Sequence, residues 1–255
     1  MKIVQPKIRC LASPNFNSAE VCDFLSGENL TWKRTEGATS AEELVEVAGR
    51  VCYMSFGKRQ SPRDNMKYIG NLIAQGHESV LEHVSWTFLA SGVSRAFTHQ
   101  LVRHRVGFAY SQLSQQYYDE SEANIVAPMN LRGSPECAVW LDSIRQAMSA
   151  YRKMLSSVTS QLENGKEQNR EVRSTARSLL PNAVEATIVF SANARALRHF
   201  LSVRGGIEGD WEMRAVSCEL LKVLSKDAPA LFNDFYIEEM SDGTGIVKKR
   251  SGVYL

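Results

Sequence analysis

The chain has 255 residues, 44% of them hydrophobic, enough to bury a substantial core in one large domain or two small ones, and one is expected. Its 30 basic and 28 acidic side chains leave a formal net charge of +2, so bulk charge points to neither nucleic acid nor a membrane surface, and any anion site must be local. Five scattered cysteines with no CxxC pair, an N-terminus MKIVQPKIRC without a signal-peptide core, and no apolar run of bilayer length predict a reduced cytoplasmic protein without disulfides, structural zinc or a membrane span.

Residues 1–13 read as an opening strand through Ile3, Ile8, Cys10 and Leu11, broken by Ser13-Pro14. Ser40 with Glu43 predicts a capping box ahead of Leu44, Val47 and Val51, and Ser61-Pro62 opens a second helix carrying Met66, Ile69 and Ile73. The alternation of Val84, Trp86 and Phe88 with polar or smaller neighbours predicts a strand over 83–90, followed by a helix over 94–102. Ser134-Pro135 starts a long helix through Trp140, Ile144, Met148, Met154 and Val158, ending near Asn164-Gly165. A shorter helix runs from Gln168 toward Leu180-Pro181, and EATIVFSA over 185–192 reads as a second core strand. Asn193 caps one further helix, and another covers 210–226. The Gly, Ser and Lys content after Ser241 predicts a mobile tail over 241–255. Without internal repeats or a linker, the organisation is a single domain over 1–240, of class α/β or α+β, with helices around a small sheet.

All five histidines, His77, His83, His99, His104 and His199, lie beside strands or helix starts, and no acid occurs between His83 and Tyr118. That stretch contains Arg95, His99, Arg103, His104 and Arg105, which read either as a local phosphate site or as a solvated basic face. Arg170, Arg173 and Arg177 share one helical face by spacing and would repel unless an anion or carboxylates lie opposite. Arg195, Arg198 and Arg204 form a third cationic group. In Tyr110–Tyr118 (YSQLSQQYY) the side chains of Gln112, Ser114 and Gln116 suit a base edge or ribose, although taken alone the segment reads first as a polar loop or helix face.

Arg103-His104-Arg105 followed by Tyr110-Ser111-Gln112-Leu113-Ser114-Gln115 resembles the signature of flavin-dependent thymidylate synthases. The resemblance runs from about Leu44 to Phe235, through Gly76-His77-Glu78-Ser79, Glu82-His83, Ser94-Arg95, Gln100, Ala176-Arg177 and Asn193-Ala194-Arg195 with His199. It implies the thymidylate synthase-complementing fold, a small curved sheet flanked by helices, in a homotetramer whose active sites are shared between subunits. By resemblance Ser79, His83, Arg103, His104, Arg105, Asn193, Arg195 and His199 bind FAD. A uridine monophosphate would meet Arg95, Gln100, Gln112, Ser114, Gln116, Arg177 and Arg204. Methylenetetrahydrofolate would supply the carbon and NADPH the reducing equivalents.

Three departures bear on substrate. Eight residues separate Arg105 from Ser114 where the family usually has seven, Gln116 stands where an arginine is usual, and 205–210 (GGIEGD) replaces a pattern that ordinarily includes a histidine. UMP and dUMP both stay open as substrates. Methylation at uracil carbon 5 needs charge stabilised on the carbonyl edge, which makes Arg204 the expected catalytic cation with Gln112 orienting the base. Ser114 completes the expected catalytic set as a substrate hydrogen-bonding group, since no base lies adjacent to activate it as a nucleophile. No cysteine falls in the cationic loop, and the six-residue spacing of His77 and His83 lacks HExxH geometry, so neither a thiolate mechanism nor a metal is expected. The non-catalytic rival is a single-stranded RNA-binding module using Arg103, Arg105 and the tyrosines, which the near-neutral charge disfavours.

Overall fold

Helix starts in this chain are set by local capping chemistry. In the computed structural model, which describes residues 1–159, 166–206, 210–250 and 252, helix α2 (Ser40–Val51) begins after Thr39. The Thr39 hydroxyl accepts from the Glu42 N–H at 3.4 Å, and Glu42 Oε2 accepts the Thr39 N–H at 2.8 Å. The box thus lies one residue before the expected Ser40 and Glu43. Both pairs fit the motif, but Glu43 is engaged by Arg34 through two bonds of 2.7 Å, which leaves Glu42 to cap. Helix α3 (Asn65–Ala74) is likewise capped by Asp64 and not by Ser61-Pro62, because the Asp64 carboxylate reaches the Lys67 N–H at 2.9 Å. An unexpected helix, α1 (Ser18–Gly27), buries Leu25.

The opening strand is split by Gln5-Pro6 into β1 (Ile3–Val4) and β2 (Lys7–Ala12). Residues Glu78–His83 form a 3-10 turn, so β3 (Ser85–Ser91) starts two residues late, and its alternating face buries Trp86, Phe88 and Ala90. Helix α4 (Arg95–Leu101) follows its Ser94 cap, then come β4 (Phe108–Gln112), β5 (Ile125–Val126), α5 (Glu136–Thr159) and α6 (Lys166–Ala176). The predicted end of the long helix at Asn164-Gly165 lies outside the described residues. Ahead of Pro181, α6 tightens into a 3-10 turn at Arg177–Leu179. Strand β6 (Ile188–Asn193) leads directly into α7 (Ala194–Arg204), and α8 (Trp211–Asp227) and α9 (Pro229–Phe232) complete the helices. Four strands are hydrogen-bonded in the order β2-β3-β6-β4.

The expected tail is corrected. Strands β7 (Phe235–Glu239) and β8 (Gly245–Lys249) pair antiparallel, with Ile246 and Val247 buried. Alternation in that short run is obscured by its glycines and lysines, and the packing of β8 on α8 makes it a strand.

The chain forms two compact units. Unit one (1–7, 90–103 and 110–189) is centred on Ile125, Ile144, Met148 and Val184, with Trp140, Leu141 and Leu180 packed around them. Unit two (8–89, 104–109 and 190–255) sets Phe88 at a tilt against Phe190 at 5.4 Å and Trp86 edge-on to Phe232 at 6.0 Å. It also buries Glu46 and Arg50 completely. Arg50 Nε donates to Glu46 at 2.7 Å, Asn65 Nδ2 donates to the other Glu46 oxygen at 2.7 Å, and the guanidinium lies 4.0 Å from the Tyr68 ring centre.

Candidate active site

In unit one the polar groups converge where β4 ends and α4 begins. Gln112, the last residue of β4, donates from Nε2 to Thr98 Oγ1 at 2.9 Å, and Thr98 donates onward to the Arg95 carbonyl at 3.1 Å. Arg95 Nη1 donates to the Leu113 carbonyl at 3.3 Å. Gln112 therefore sits on a strand, not in the loop read from the sequence, because Phe108–Gln112 joins the edge of the four-stranded sheet. Ser114, half-buried, accepts the Gln116 N–H at 3.3 Å.

Burial is the main influence lowering the Arg95 pKa; Glu120 opposes it, and the nearby Arg177 charge adds to it. Two arginines 82 positions apart in sequence thus share one neighbourhood. Of the helical trio, Arg170 lies over the Tyr117 ring at 5.3 Å, Arg173 influences Tyr151, and Arg177 acts on Arg95. Gln116 Nε2 donates to Ser174 on α6 at 3.3 Å. Gln100 is half-buried on α4, and Arg103 is exposed just beyond it.

Sequence reasoning missed Glu120. Only 2% of it is exposed, and its carboxyl is pushed up to about 7, chiefly by burial, with Arg95 opposing and Asp119 and Glu185 reinforcing the rise. Its signal was the end of the acid-free stretch at Asp119-Glu120.

Unit two holds the other predicted residues. His104 Nε2 accepts from Arg204 Nε at 3.1 Å, with Phe200 edge-on to the imidazole at 5.1 Å and His199 at 6.2 Å. Burial, then Arg204, then His199, lower the His104 pKa. An imidazole that accepts at Nε2 and resists protonation is neutral, with its proton on Nδ1. Arg204 ends α7 and Asn193 caps its start, accepting the Ala196 N–H at 2.9 Å. Gly107, at φ +74°, brings its backbone against that cap, and a Cβ there would fall 2.8 Å from both Asn193 Nδ2 and Ala196 Cβ. Arg105 is exposed beside this turn.

Arg195, in the first turn of α7, donates to Glu82 at 2.6 Å and lies 3.5 Å from Glu78. It borders a cleft of about 340 Å³ lined also by Ser79, His77, Gly76, Cys52 and Tyr53, with Leu72 and Val80 as its apolar wall. Ser79, His83 and His199 are exposed. Apolar walls with the hydroxyls of Ser79 and Tyr53 and the Arg195 guanidinium suit a molecule that is part aromatic and part phosphate. These residues fit part of a flavin dinucleotide. Of the departing stretch, Ile207, Glu208 and Gly209 lie outside the described residues.

Among the described residues no three His, Cys, Asp or Glu side chains group as a metal site, and no helix is long and apolar enough to cross a membrane. A family model described as thymidylate synthase complementing protein matches residues 35–230. Proteins named flavin-dependent thymidylate synthase are similar over most of their length. That of Corynebacterium aurimucosum is 38% identical over 227 residues, covering 87% of this chain and 90% of its own. That of Mycobacteroides abscessus is 39% identical over 230 residues, covering 88% and 90%. That of Mycobacterium tuberculosis is 37% identical over 229 residues, with the same coverage of 88% and 90%.

Proposed function

This chain belongs to the thymidylate synthase complementing protein family, and from that premise we propose that it methylates uracil carbon 5 of a uridine monophosphate, with FAD bound, methylenetetrahydrofolate as one-carbon donor and NADPH as reductant. The observation that carries the reading is that every residue assigned to the two donor sets, from Ser79 to Arg204, falls inside the matched span 35–230.

Ser79 and Arg195 in the cleft, with His83, Arg103, His104, Arg105, Asn193 and His199, would hold the flavin. When bound, it supplies the hydride and one-carbon chemistry that side chains lack. Arg95 and Arg177 take the nucleotide phosphate, since planar guanidinium donors match its oxygens. Gln112, Ser114 and Gln116 provide neutral donors and acceptors to base and ribose, with Gln100 beside them. Arg204 opposes the charge that develops on the uracil carbonyl edge, and a neutral His104, accepting from its Nε, holds its guanidinium in place without adding a competing cation. The working form is a homotetramer with shared active sites.

We further propose that UMP is accepted as well as dUMP. Gln116 replaces a usual arginine with an amide, and tolerating an added hydroxyl costs little where polar partners are available. The test is incubation with FAD, NADPH and methylenetetrahydrofolate, offering UMP and dUMP in parallel and weighing the nucleotides by mass spectrometry. The reading expects a methyl gain that requires all three additions. No product from either nucleotide overturns it, and turnover of dUMP alone removes only the UMP part.

A further inference from the structure

The C-terminal end of α2 carries one wall of the cleft beside Arg195, through Gly49, Cys52 and Tyr53. Directly after Tyr53 the chain turns back at Met54, whose φ of +44° lies in the left-handed region. The Met54 N–H donates to the Val51 carbonyl at 3.2 Å and the Ser55 N–H to the Arg50 carbonyl at 3.0 Å, which closes the turn on the helix end. Glycine or asparagine takes such a position at least cost, and Asn29, at φ +56°, is the other non-glycine residue in that region among the described residues. Methionine has no short polar side chain to offset the crowding of its Cβ. The turn is held from inside. Arg50, wholly buried, donates from Nη1 to the Ser55 carbonyl at 3.3 Å and from Nη2 to the Pro62 carbonyl at 2.6 Å, while its Nε donates to Glu46. Glu46 also accepts from Trp32 Nε1 at 3.3 Å and from Asn65 Nδ2. Tyr68 meets the same helix end twice, since a Cβ on Gly49 would fall 2.7 Å from its hydroxyl and its ring faces the Arg50 guanidinium.

Two choices at this turn run against stability. A residue with a Cβ occupies a left-handed position, and a buried ion pair stands where apolar side chains of the same volume would often serve as well or better. Such choices gather where a chain must present a side chain to a ligand. The side chain presented here is Tyr53, 74% exposed and lining the cleft. We propose that Tyr53 is a further flavin contact, offering its ring to a flat ring of the cofactor, and that Met54 and the Glu46–Arg50 pair are positioning residues that hold it at the cleft. This role for Tyr53 rests on the assignment of the cleft to the flavin. A ring held in place before binding loses less freedom when the ligand arrives, and aromatic rings in contact gain more than their buried area alone provides.

Equilibrium dialysis of FAD against the full-length protein compares wild type, Met54→Gly, Tyr53→Leu and the variant carrying both, and thermal melts of the same flavin-free proteins report stability. Met54→Gly is expected to melt no lower than wild type, because glycine takes positive φ freely, and yet to bind FAD about three- to tenfold more weakly. Tyr53→Leu is expected to lose about three- to tenfold as well. The double variant is expected to bind no more weakly than Tyr53→Leu, since the turn acts through that ring. Glu46→Gln with Arg50→Met, which removes both buried charges, is expected to match Met54→Gly. Undiminished FAD binding by either single variant, or losses that multiply in the double variant, overturns the inference and leaves the flavin in its cleft. A melting temperature of Met54→Gly well below wild type shows an unstrained turn and overturns it too. Undiminished binding by a folded ion-pair variant overturns the part given to Arg50, and if that variant does not fold, the Met54 and Tyr53 cycle decides alone. Wild type that takes up no FAD removes the flavin and the role of Tyr53 together.

Discussion

His104 and Arg204 show how far one hydrogen bond constrains a residue's chemistry. Because Nε2 accepts from Arg204, protonating the ring would forfeit that bond and set two cations 3.1 Å apart. A histidine whose folded pKa is depressed below 6.5 contributes stability that is complete above pH 6.5 and is lost as pH falls through the folded value, since the unfolded chain takes up the proton first. His104→Asn should accordingly lose less stability than wild type between pH 6.5 and 5 in urea titrations, and parallel profiles for the two proteins would contradict this. For Arg204, replacement by Gln removes the charge placed on the carbonyl edge. The kcat for methylation should fall about 10²- to 10³-fold with a smaller change in nucleotide KM. A Gln variant with near-normal kcat would transfer that role to another cation.

Among the elements, those whose ends are decided by neighbouring residues were legible in the sequence. The Asn193 and Ser94 caps, the stop before Pro181 and the Trp86/Phe88 alternation all depend on interactions within a few positions. Where two local solutions compete, as at Thr39-Ser40, the distant Arg34 decides, and the box shifts by one residue. Thr39→Ala should cost about 1 kcal/mol in chemical denaturation, whereas Ser40→Ala should cost a few tenths at most. Glycines offer a sharper contrast. A Cβ on Gly92, at φ +65°, would lie 1.9 Å from the Gln5 carbonyl oxygen, while one on Gly37, at φ +79°, meets nothing within 4 Å. Gly37→Ala should cost about 1–2 kcal/mol from backbone strain alone. Gly92→Ala adds a backbone collision and should cost several kcal/mol by comparison. Equal costs at the two positions would show that φ alone governs both.

At the scale of the molecule, what the sequence could not disclose is the pairing of distant residues. Arg95, Arg177, Gln112 and Ser114 are each visible as candidates, but the influence of Arg177 on Arg95, and of Arg95 on Glu120, depends on how unit one folds. The cysteines illustrate the same limit from the other side. Cys10, Cys22 and Cys52 are exposed, Cys218 is buried with its thiol pKa pushed up chiefly by that burial, and Cys52 borders the cleft beside Arg195. Replacing all five with serine or alanine should leave methylation intact, and its complete loss in a folded, flavin-loaded variant would restore a thiolate mechanism. The far end of the chain has a practical bearing. In β8 the Val247 N–H donates to the Gly205 carbonyl at 2.9 Å, and a Cβ on Gly205 would sit 2.6 Å from Val247 Cβ. The hairpin latches the backbone one residue past Arg204, so a premature stop codon or a bulky affinity tag near residue 245 reaches the proposed catalytic cation, and expression vectors for this protein should carry their fusions at the other terminus.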